Sequence, residues 1–329
     1  MPLSDMPLEV MKDYHGKTIR PEDFDQYWDR AIAKMEALGT SYELVPAAVR
    51  ASGAECFDLW FTGVGGAKVH AKYLRPAHRT GPCAAVLLFH GYRRNCGSWA
   101  SLMSYVGAGF CVLGLDCRGQ GGLSVDNGSV EGTTICGHVI RGATDPNPDK
   151  LLMRNIYLDC AQLARIAMAM PEVDETRVAA QGASQGGGLA LACAALTPKL
   201  NRVAALMPFL CDFRRSWEVA NPDGAIYELQ YYFKFIDPRH KNEDAFFERL
   251  GYIDNVNLAP RIRANVLLLT GLTDRECPPS TQFAAYNGIS SPKRYELWPD
   301  YGHEVCPDME DTAMEFLLEM AEDRKETCD

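Results

Sequence analysis

The sequence predicts an α/β fold with a doubly wound, mostly parallel sheet. Two observations carry this prediction. Short apolar runs rich in Val and Leu recur from the middle of the chain to its end, and helical segments lie between several of them. Near-continuous apolar character is typical of strands buried on both faces, and alternation of strands with helices is typical of a parallel sheet covered on both sides.

The elements follow in chain order. Residues 21–35 have Phe24, Trp28, Ile32 and Met35 at helical spacing, which predicts an amphipathic helix. Next, two strand-like runs flank a glycine-rich turn and predict a hairpin at 55–63 and 67–76. Strands buried on both faces are then predicted at 83–91, 110–116, 177–182, 202–208, 265–271 and 294–299, and helices at 155–170, 187–196 and 308–323.

Length and composition favour one large domain. A chain of 329 residues, of which 47% are hydrophobic, can bury a sizeable core. We expect a single domain over residues 1–329, with an N-terminal helical extension at about 20–38 and insertions at about 119–150 and 211–262. Both insertions interrupt the alternation at strand ends, where ligands usually bind.

Charge and cysteine content narrow the class of protein. The formal net charge is −10, without long basic blocks, which argues against a nucleic-acid partner. No apolar run approaches the roughly 20 residues that span a membrane, and the first residues lack the pattern of a secretory signal. The twelve cysteines form no C-x-x-C pair and no metal-ligand spacing. We therefore expect a cytoplasmic protein with reduced thiols, without a bound metal and without membrane contact.

The most informative stretch is Q-G-A-S-Q-G-G-G, residues 181–188, which contains the pattern G-x-S-x-G around Ser184. An apolar run precedes it and a helix of small residues follows it. This strand–turn–helix context is what a nucleophile elbow requires, because only small residues two positions from the serine avoid clashes at so sharp a turn. Ser184 is the predicted nucleophile.

A serine nucleophile needs a base and an orienting acid. His303, in D-Y-G-H-E after the last predicted strand, is the candidate base, and Asp274, after the preceding strand, is the candidate acid. The chain order Ser, Asp, His is that of the α/β-hydrolase fold. Glu276 and, less favourably placed, Asp116 are rival carboxylates.

The oxyanion of an acyl-transfer reaction needs backbone donors. The amide of Gln185, after the nucleophile, and that of Tyr92, in the loop after an early strand, are the candidates. His90 in the same loop is expected to support it. Gly119 and Gly121 could begin a dinucleotide-binding pattern, but Ser124 occupies its third glycine position, so no cofactor is expected.

Four motifs together resemble the acetyl xylan esterase and cephalosporin-C deacetylase family of carbohydrate esterases. They are H-G-Y at 90–92, R-G-Q-G-G at 118–122, G-A-S-Q-G-G at 182–187 and H-E at 303–304. The resemblance covers nearly the whole chain, and the combination is specific although G-x-S-x-G alone is not.

The resemblance implies an α/β-hydrolase fold and a serine carboxylesterase that hydrolyses acetate esters of carbohydrates and of small molecules such as cephalosporin C. It also implies a cytoplasmic hexamer, the triad and oxyanion roles given above, and structural support near the site from Arg118 and Gln120. A peptidase or thioesterase on the same fold, and a non-catalytic binding module, remain alternatives. Arg93 to Cys96 depart from the residues expected at the pocket rim, and aromatic residues of the second insertion, Trp217 and 231–233, are either pocket walls, an oligomer contact or ordinary core.

Overall fold

One mixed sheet organises the molecule. The computed structural model describes residues 5–128 and 138–321, and within them nine strands pair into a single sheet. The strands are β1 (Tyr42–Pro46), β2 (Ala54–Gly63), β3 (Ala67–Pro76), β4 (Cys83–Phe89), β5 (Cys111–Leu115), β6 (Val173–Ala183), β7 (Arg202–Leu206), β8 (Asn265–Gly271) and β9 (Lys293–Trp298). Their order across the sheet is β1-β2-β3-β5-β4-β6-β7-β8-β9.

The sheet has an antiparallel edge and a parallel centre. The strands β1, β2 and β3 pair antiparallel with their neighbours, and β3 is also antiparallel to β5. From β5 across to β9 every pair is parallel. The carboxyl ends of the parallel strands therefore meet at one edge, where ligands bind in open α/β sheets.

Helices connect the strands and cover the sheet. In the described residues they are α1 (Leu8–Met11), α2 (Phe24–Glu36), α3 (Trp99–Gly107), α4 (Leu152–Ala169), α5 (Gln185–Leu196), α6 (Phe213–Val219), α7 (Tyr227–Tyr231), α8 (Glu243–Gly251), α9 (Asn255–Leu258), α10 (Pro279–Asn287) and α11 (Met309–Leu318). A π-helical turn, Tyr232–Ile236, continues α7. None of the helices in the part of the chain that the structure describes is long and apolar enough to span a bilayer.

Both faces of the sheet are buried, as the apolar runs predict. On β4, Leu87 lies in the larger core with α2, α4 and α5, while the adjacent Val86 lies in a second core with α3 and α11. Successive side chains of a strand point to opposite faces, so a strand in this position must be apolar at every residue.

The last strand differs from its prediction. The expectation that the run near 294–299 is buried on both faces is wrong, because β9 lies at the edge of the sheet with only β8 beside it. Its burial alternates, and Arg294 and Glu296 are exposed. The other predicted strands and helices are present, with ends shifted by a few residues.

The second predicted insertion consists of α6 to α9 and the π-helical turn. Its aromatic residues belong in part to the core, since the rings of Tyr232 and Phe246 stack with centroids 3.9 Å apart and Phe233 is buried beside them. Phe235 is 60% exposed. Part of the first predicted insertion, residues 129–137, lies outside the described residues.

Candidate active site

Ser184 occupies a sharp turn between β6 and α5. Its backbone has φ 57° and ψ −123°, a conformation that non-glycine residues rarely adopt and that costs about 1–3 kcal/mol. The peptide groups on both sides of the turn are fixed: the Ser184 amide donates to the carbonyl oxygen of Leu206 (2.9 Å), and its carbonyl oxygen accepts from the Phe209 amide (2.9 Å). The strained turn is thus held by its hydrogen bonds to the end of β7 and the loop after it.

The two glycines of the motif are required by close backbone contacts. A Cβ on Gly186 would lie 2.0 Å from the carbonyl oxygen of Phe89, and one on Gly182 would lie 2.4 Å from the carbonyl carbon of Gly186. Neither neighbour is a side chain that could rotate away. The spacing G-x-S-x-G therefore follows from the packing of β4, β6 and α5 around the turn.

Gln185 begins α5, where the first backbone N–H groups have no acceptor within the helix. Its side chain is fully buried and forms a reciprocal pair with Gln120, in which Gln185 Nε2 donates to Gln120 Oε1 (3.1 Å) and Gln120 Nε2 donates to Gln185 Oε1 (2.9 Å). Gln120 Oε1 also accepts from the Arg93 amide (2.9 Å). Gln120 thereby joins the loop that holds Tyr92 to the start of α5.

Tyr92 is fixed through its side chain. Its ring meets that of His138 edge to face, with centroids 5.4 Å apart, and its hydroxyl lies 3.4 Å from His138 Nδ1. His138 Nε2 donates to the carbonyl oxygen of Gly119 (2.7 Å), so Nδ1 is the acceptor in this tautomer. Glu228 of α7 accepts from the backbone amides of His138 (3.1 Å), Val139 (2.7 Å) and Ile140 (3.1 Å). Sequence reasoning gave no role to His138 or Glu228.

His90 uses both ring nitrogens within the protein. Nδ1 donates to the carbonyl oxygen of Gly91 (2.8 Å), and Nε2 accepts from the amide of Cys117 (3.0 Å). Burial lowers the pKa of His90, which keeps the imidazole neutral in this arrangement. The ring therefore braces the loop and has no lone pair free to act as a base.

His303 and Asp274 form a pair at the carboxyl end of the sheet. His303 Nδ1 lies 2.8 Å from Asp274 Oδ2, while Asp274 Oδ1 accepts from the amides of Glu276 (2.8 Å) and Cys277 (2.9 Å). Burial disfavours the imidazolium, but the hydrogen bond and charge of Asp274 outweigh it and raise the pKa of His303 above its ordinary value. Asp274 is fully buried and fixed in the orientation that an acid partner needs.

No hydrogen bond joins Ser184 to His303 in the described part of the chain, and the Ser184 side chain lies near the thiol of Cys277. Burial and the nearby Asp274 raise the pKa of Cys277 well above its usual value. Hydrogen bonds between a nucleophile and its base are often long or poorly aligned in structures without substrate. The sequence signal for Cys277 is its position three residues after Asp274, at the same strand end.

The rival carboxylates have other partners. Glu276 accepts from the Asn221 side-chain amide (2.7 Å) and the Ala225 backbone amide (3.0 Å), so it holds the second insertion. Asp116 accepts from the amides of Cys96 and Leu123 and bonds His70 Nδ1 (2.7 Å).

Arg118 lies behind the site. Its Nε and Nη2 donate to the two carboxylate oxygens of Asp159 (2.7 and 2.6 Å), and Nη1 donates to the carbonyl oxygen of Val64 (3.1 Å). Both charged side chains are buried. The pair links the start of the first insertion to α4 and to the β2–β3 turn.

Comparison with known proteins identifies the family of the chain. The family model described as acetyl xylan esterase matches residues 1–320 of the chain. The chain belongs to the acetyl xylan esterase family. This membership confirms the family resemblance seen in the sequence motifs, and with it the predicted enzyme class, a serine hydrolase of carboxylic esters.

Two solved acetyl xylan esterases are similar over nearly their full length, which also confirms the α/β-hydrolase fold. Acetyl xylan esterase 1 from Thermoanaerobacterium sp. JW/SL YS485 is 50% identical, with a TM-score of 0.93 and coverage of 96% of this chain and 99% of that one. The acetyl xylan esterase from Paenibacillus sp. R4 is 35% identical, with a TM-score of 0.89 and coverage of 95% and 99%.

A curated relative with a longer chain, acetyl esterase Axe7A of Xylanibacter ruminicola (strain ATCC 19189 / DSM 19721 / CIP 105475 / JCM 8958 / 23), is 26% identical over 316 residues. The match covers 94% of this acetyl xylan esterase family member and 69% of Axe7A.

Proposed function

We propose that this chain removes acetyl groups from acetylated xylo-oligosaccharides and from small acetate esters such as cephalosporin C, with Ser184, Asp274 and His303 as the catalytic triad. The observation that carries the proposal is the position of Ser184. It stands at a strained elbow directly before the free N-terminus of α5, at the same sheet edge as the His303–Asp274 pair. Family membership gives the class of ester.

The first half of the reaction forms an acetyl-enzyme. Neutral His303 accepts the hydroxyl proton of Ser184 through Nε2, while Asp274 holds Nδ1–H and stabilises the imidazolium that results. Ser184 Oγ attacks the acetyl carbonyl carbon. The amides of Gln185 and Tyr92 then stabilise the oxyanion, and each such donor contributes about 3 kcal/mol. The sugar alcohol leaves with the proton from His303.

The second half releases acetate. Water takes the position of the alcohol, gives a proton to His303 and attacks the acetyl carbon. Collapse of the second oxyanion breaks the bond to Ser184 Oγ, which recovers its proton from His303. Gln120 positions both donors, because it joins the Gln185 side chain to the Tyr92 loop.

The proposal also covers the location of the enzyme and its oligomeric state. We place it in the cytoplasm, since the ten cysteines of the described residues are free thiols and such thiols persist in a reducing compartment. We also propose a homo-oligomer, a hexamer by family resemblance. Exposed apolar side chains at Leu123, Val125 and Phe235 support a covered surface. Sedimentation at micromolar concentration tests it, and a monomer would contradict it.

The deciding experiment measures acetate release from p-nitrophenyl acetate, acetylated xylo-oligosaccharide and cephalosporin C, and cleavage of a peptide amide. Wild type is expected to cleave the three esters and not the amide. Ser184→Ala should retain the wild-type circular dichroism and lose turnover, because no other hydroxyl occupies the elbow. Ser104→Ala, an exposed serine on α3, is the matched control and should behave as wild type.

Each other result selects a different function. Cleavage of the amide at a rate similar to that of the esters would favour a peptidase on this fold. No release by folded wild type from any substrate would favour a binding module. Equal activity of Ser184→Ala and wild type would overturn the triad.

A further inference from the structure

A thiol lies against the catalytic pair. One potential ligand atom each from Asp274, Cys277 and His303 lie within 4.8 Å of one another. Cys277 is 1% exposed, and its backbone amide donates to Asp274 Oδ1 (2.9 Å), which holds the residue next to the carboxylate. The proposed reaction uses Asp274 and His303 but assigns nothing to the sulfur.

These three groups are the ligand types that Zn²⁺ and the softer Cd²⁺ prefer. Zinc binds thiolate, imidazole and carboxylate tetrahedrally at about 2.0–2.3 Å, which places ligand atoms roughly 3–4 Å apart. The observed cluster is within small side-chain adjustments of that spacing. Water supplies the fourth ligand, as it does in open zinc sites.

We propose that Asp274, Cys277 and His303 form an inhibitory site for a thiophilic divalent cation, with Zn²⁺ and Cd²⁺ as its ligands. On binding, the thiol proton of Cys277 passes to solvent and the thiolate bonds the ion. The same ion bonds a carboxylate oxygen of Asp274 and Nδ1 of His303, and the proton of Nδ1 moves to Nε2, so the imidazole can no longer take the proton of Ser184. The inhibition rests on the proposed function, whereas the binding does not.

The described residues contain a second group of potential ligands, but this group is not suited to bind a cation. It consists of His70, Cys96 and Asp116. Both ring nitrogens of His70 already bond carboxylates, Asp116 (2.7 Å) and Asp58 (2.9 Å), and a Cβ on Gly122 would lie 2.0 Å from Asp116 Cγ, so the group is tightly packed. The His70 side chain is 1% exposed, whereas that of His303 is 23% exposed and gives an ion a path from solvent.

The test is inhibition of p-nitrophenyl acetate hydrolysis by zinc chloride and cadmium chloride, with magnesium chloride as the hard-cation control. Zn²⁺ and Cd²⁺ should inhibit wild type, with recovery after EDTA, and Mg²⁺ should not. Cys277→Ala should raise the inhibition constant for Zn²⁺ at least about tenfold, since loss of one ligand weakens a metal site by that much or more. Each variant is compared with its own metal-free rate.

Two cysteine variants control for other thiols. Cys306→Ala removes a buried thiol three residues after His303, and Cys96→Ala removes the thiol of the second group. Both should keep the inhibition constant of wild type. The proposal is overturned if Zn²⁺ does not inhibit, if Cys277→Ala is inhibited as strongly as wild type, or if Cys96→Ala alone loses the inhibition.

A binding measurement separates this proposal from the proposed function. Co²⁺ added to wild type should give thiolate-to-metal charge-transfer absorption that Cys277→Ala lacks, whether or not the protein hydrolyses esters. If Cys277→Ala does not fold, Cys277→Ser takes its place, because an uncharged hydroxyl is a poor ligand for a thiophilic ion. Equal charge-transfer absorption in wild type and in the folded variant rules the site out.

Discussion

At the scale of single residues, the sequence predicts the chemical groups better than their contacts. Ser184, Asp274 and His303 each follow a recognisable strand in the order of the fold, so their strand ends meet at one edge of the sheet. The thiol of Cys277 could not be placed in this way. Its position beside Asp274 and His303 depends on the turn after β8, where Asp274 Oδ1 accepts a hydrogen bond from the Cys277 amide. Apolar patterns carry no information on such a turn.

The contact between Asp274 and His303 predicts a pH dependence. Asp274 holds the pKa of His303 above its ordinary value, and the neutral ring is the proposed base, so kcat/KM should rise as pH increases through that raised pKa. In Asp274→Asn the pKa falls, which moves this limb to lower pH. The rate at its plateau should fall about 10³- to 10⁴-fold, because the tautomer is no longer fixed. A pH–rate profile of both proteins measures the two effects.

Glu276→Gln is the control for that substitution. Glu276 is a neighbouring carboxylate whose hydrogen bonds go to the second insertion, so its removal should leave the rate within about tenfold of wild type. A large loss in Glu276→Gln together with a retained rate in Asp274→Asn would exchange the roles of the two acids.

At the scale of elements, strong apolar runs were predictable and weak ones were not. The strands β4 to β8 are buried on both faces and carry a continuous apolar signal. The sequence did not predict β1, which lies at an edge with a mostly exposed pattern, nor α3 and α10, which are nine residues each. The edge position of β9 could not be inferred either, because strand order in a sheet is a property of the assembled fold.

The contact between the two insertions leads to a prediction about Glu228. This fully buried carboxylate accepts hydrogen bonds from the three backbone amides of residues 138–140, and His138 in turn contacts Tyr92. In Glu228→Gln an amide NH₂ faces a backbone N–H, which should lower the free energy of unfolding by about 1–3 kcal/mol. The loop that holds the proposed oxyanion donor Tyr92 loses part of its support, so kcat should fall more than KM changes. Urea unfolding and steady-state kinetics measure both quantities.

The Tyr92→Phe variant separates the effect of the Tyr92 side chain from that of the contact between Glu228 and residues 138–140. It removes the hydroxyl near His138 Nδ1 but keeps the backbone amide, so it should lower kcat modestly and leave stability within about 1 kcal/mol of wild type. If Glu228→Gln has the stability and kcat of wild type, the carboxylate does not hold the segment as described.

At the scale of the whole molecule, two buried carboxylates join the start of the chain to the second insertion. Asp212 Oδ2 accepts from the Tyr14 hydroxyl (2.8 Å) and the Lys17 amide (3.0 Å), while Asp254 Oδ2 accepts from Thr18 Oγ1 (2.7 Å). Asp254 Oδ1 also accepts from the Asp212 amide (2.8 Å). Burial, and then repulsion from Asp212, raises the pKa of Asp254 to about 7.

This pair predicts lower stability at higher pH. A carboxyl whose pKa is raised by folding binds more protons in the folded than in the unfolded chain at intermediate pH. As far as this group is concerned, the free energy of unfolding should therefore be largest below about pH 4. It should decline as pH rises to about 7, by on the order of 4 kcal/mol. Urea unfolding across this pH range measures the slope.

Asp212→Asn removes the charge next to Asp254, so the pKa of Asp254 should fall. The free energy of unfolding should then decline less steeply as pH rises. Asp223→Asn, at an exposed position in the same insertion, should keep the wild-type slope. If the free energy of unfolding of Asp212→Asn changes with pH as steeply as that of wild type, other groups cause the pH dependence.

The backbone bonds of Ser184 have a consequence for local opening. Its amide donates to the carbonyl oxygen of Leu206, and its carbonyl oxygen accepts from the amide of Phe209. The turn therefore cannot open unless β6 separates from β7. These strands are in the middle of the sheet, and their separation is equivalent to unfolding the domain. In deuterium oxide the Ser184 amide should therefore retain its proton as long as the most protected amides of the sheet, although its side chain is the proposed nucleophile.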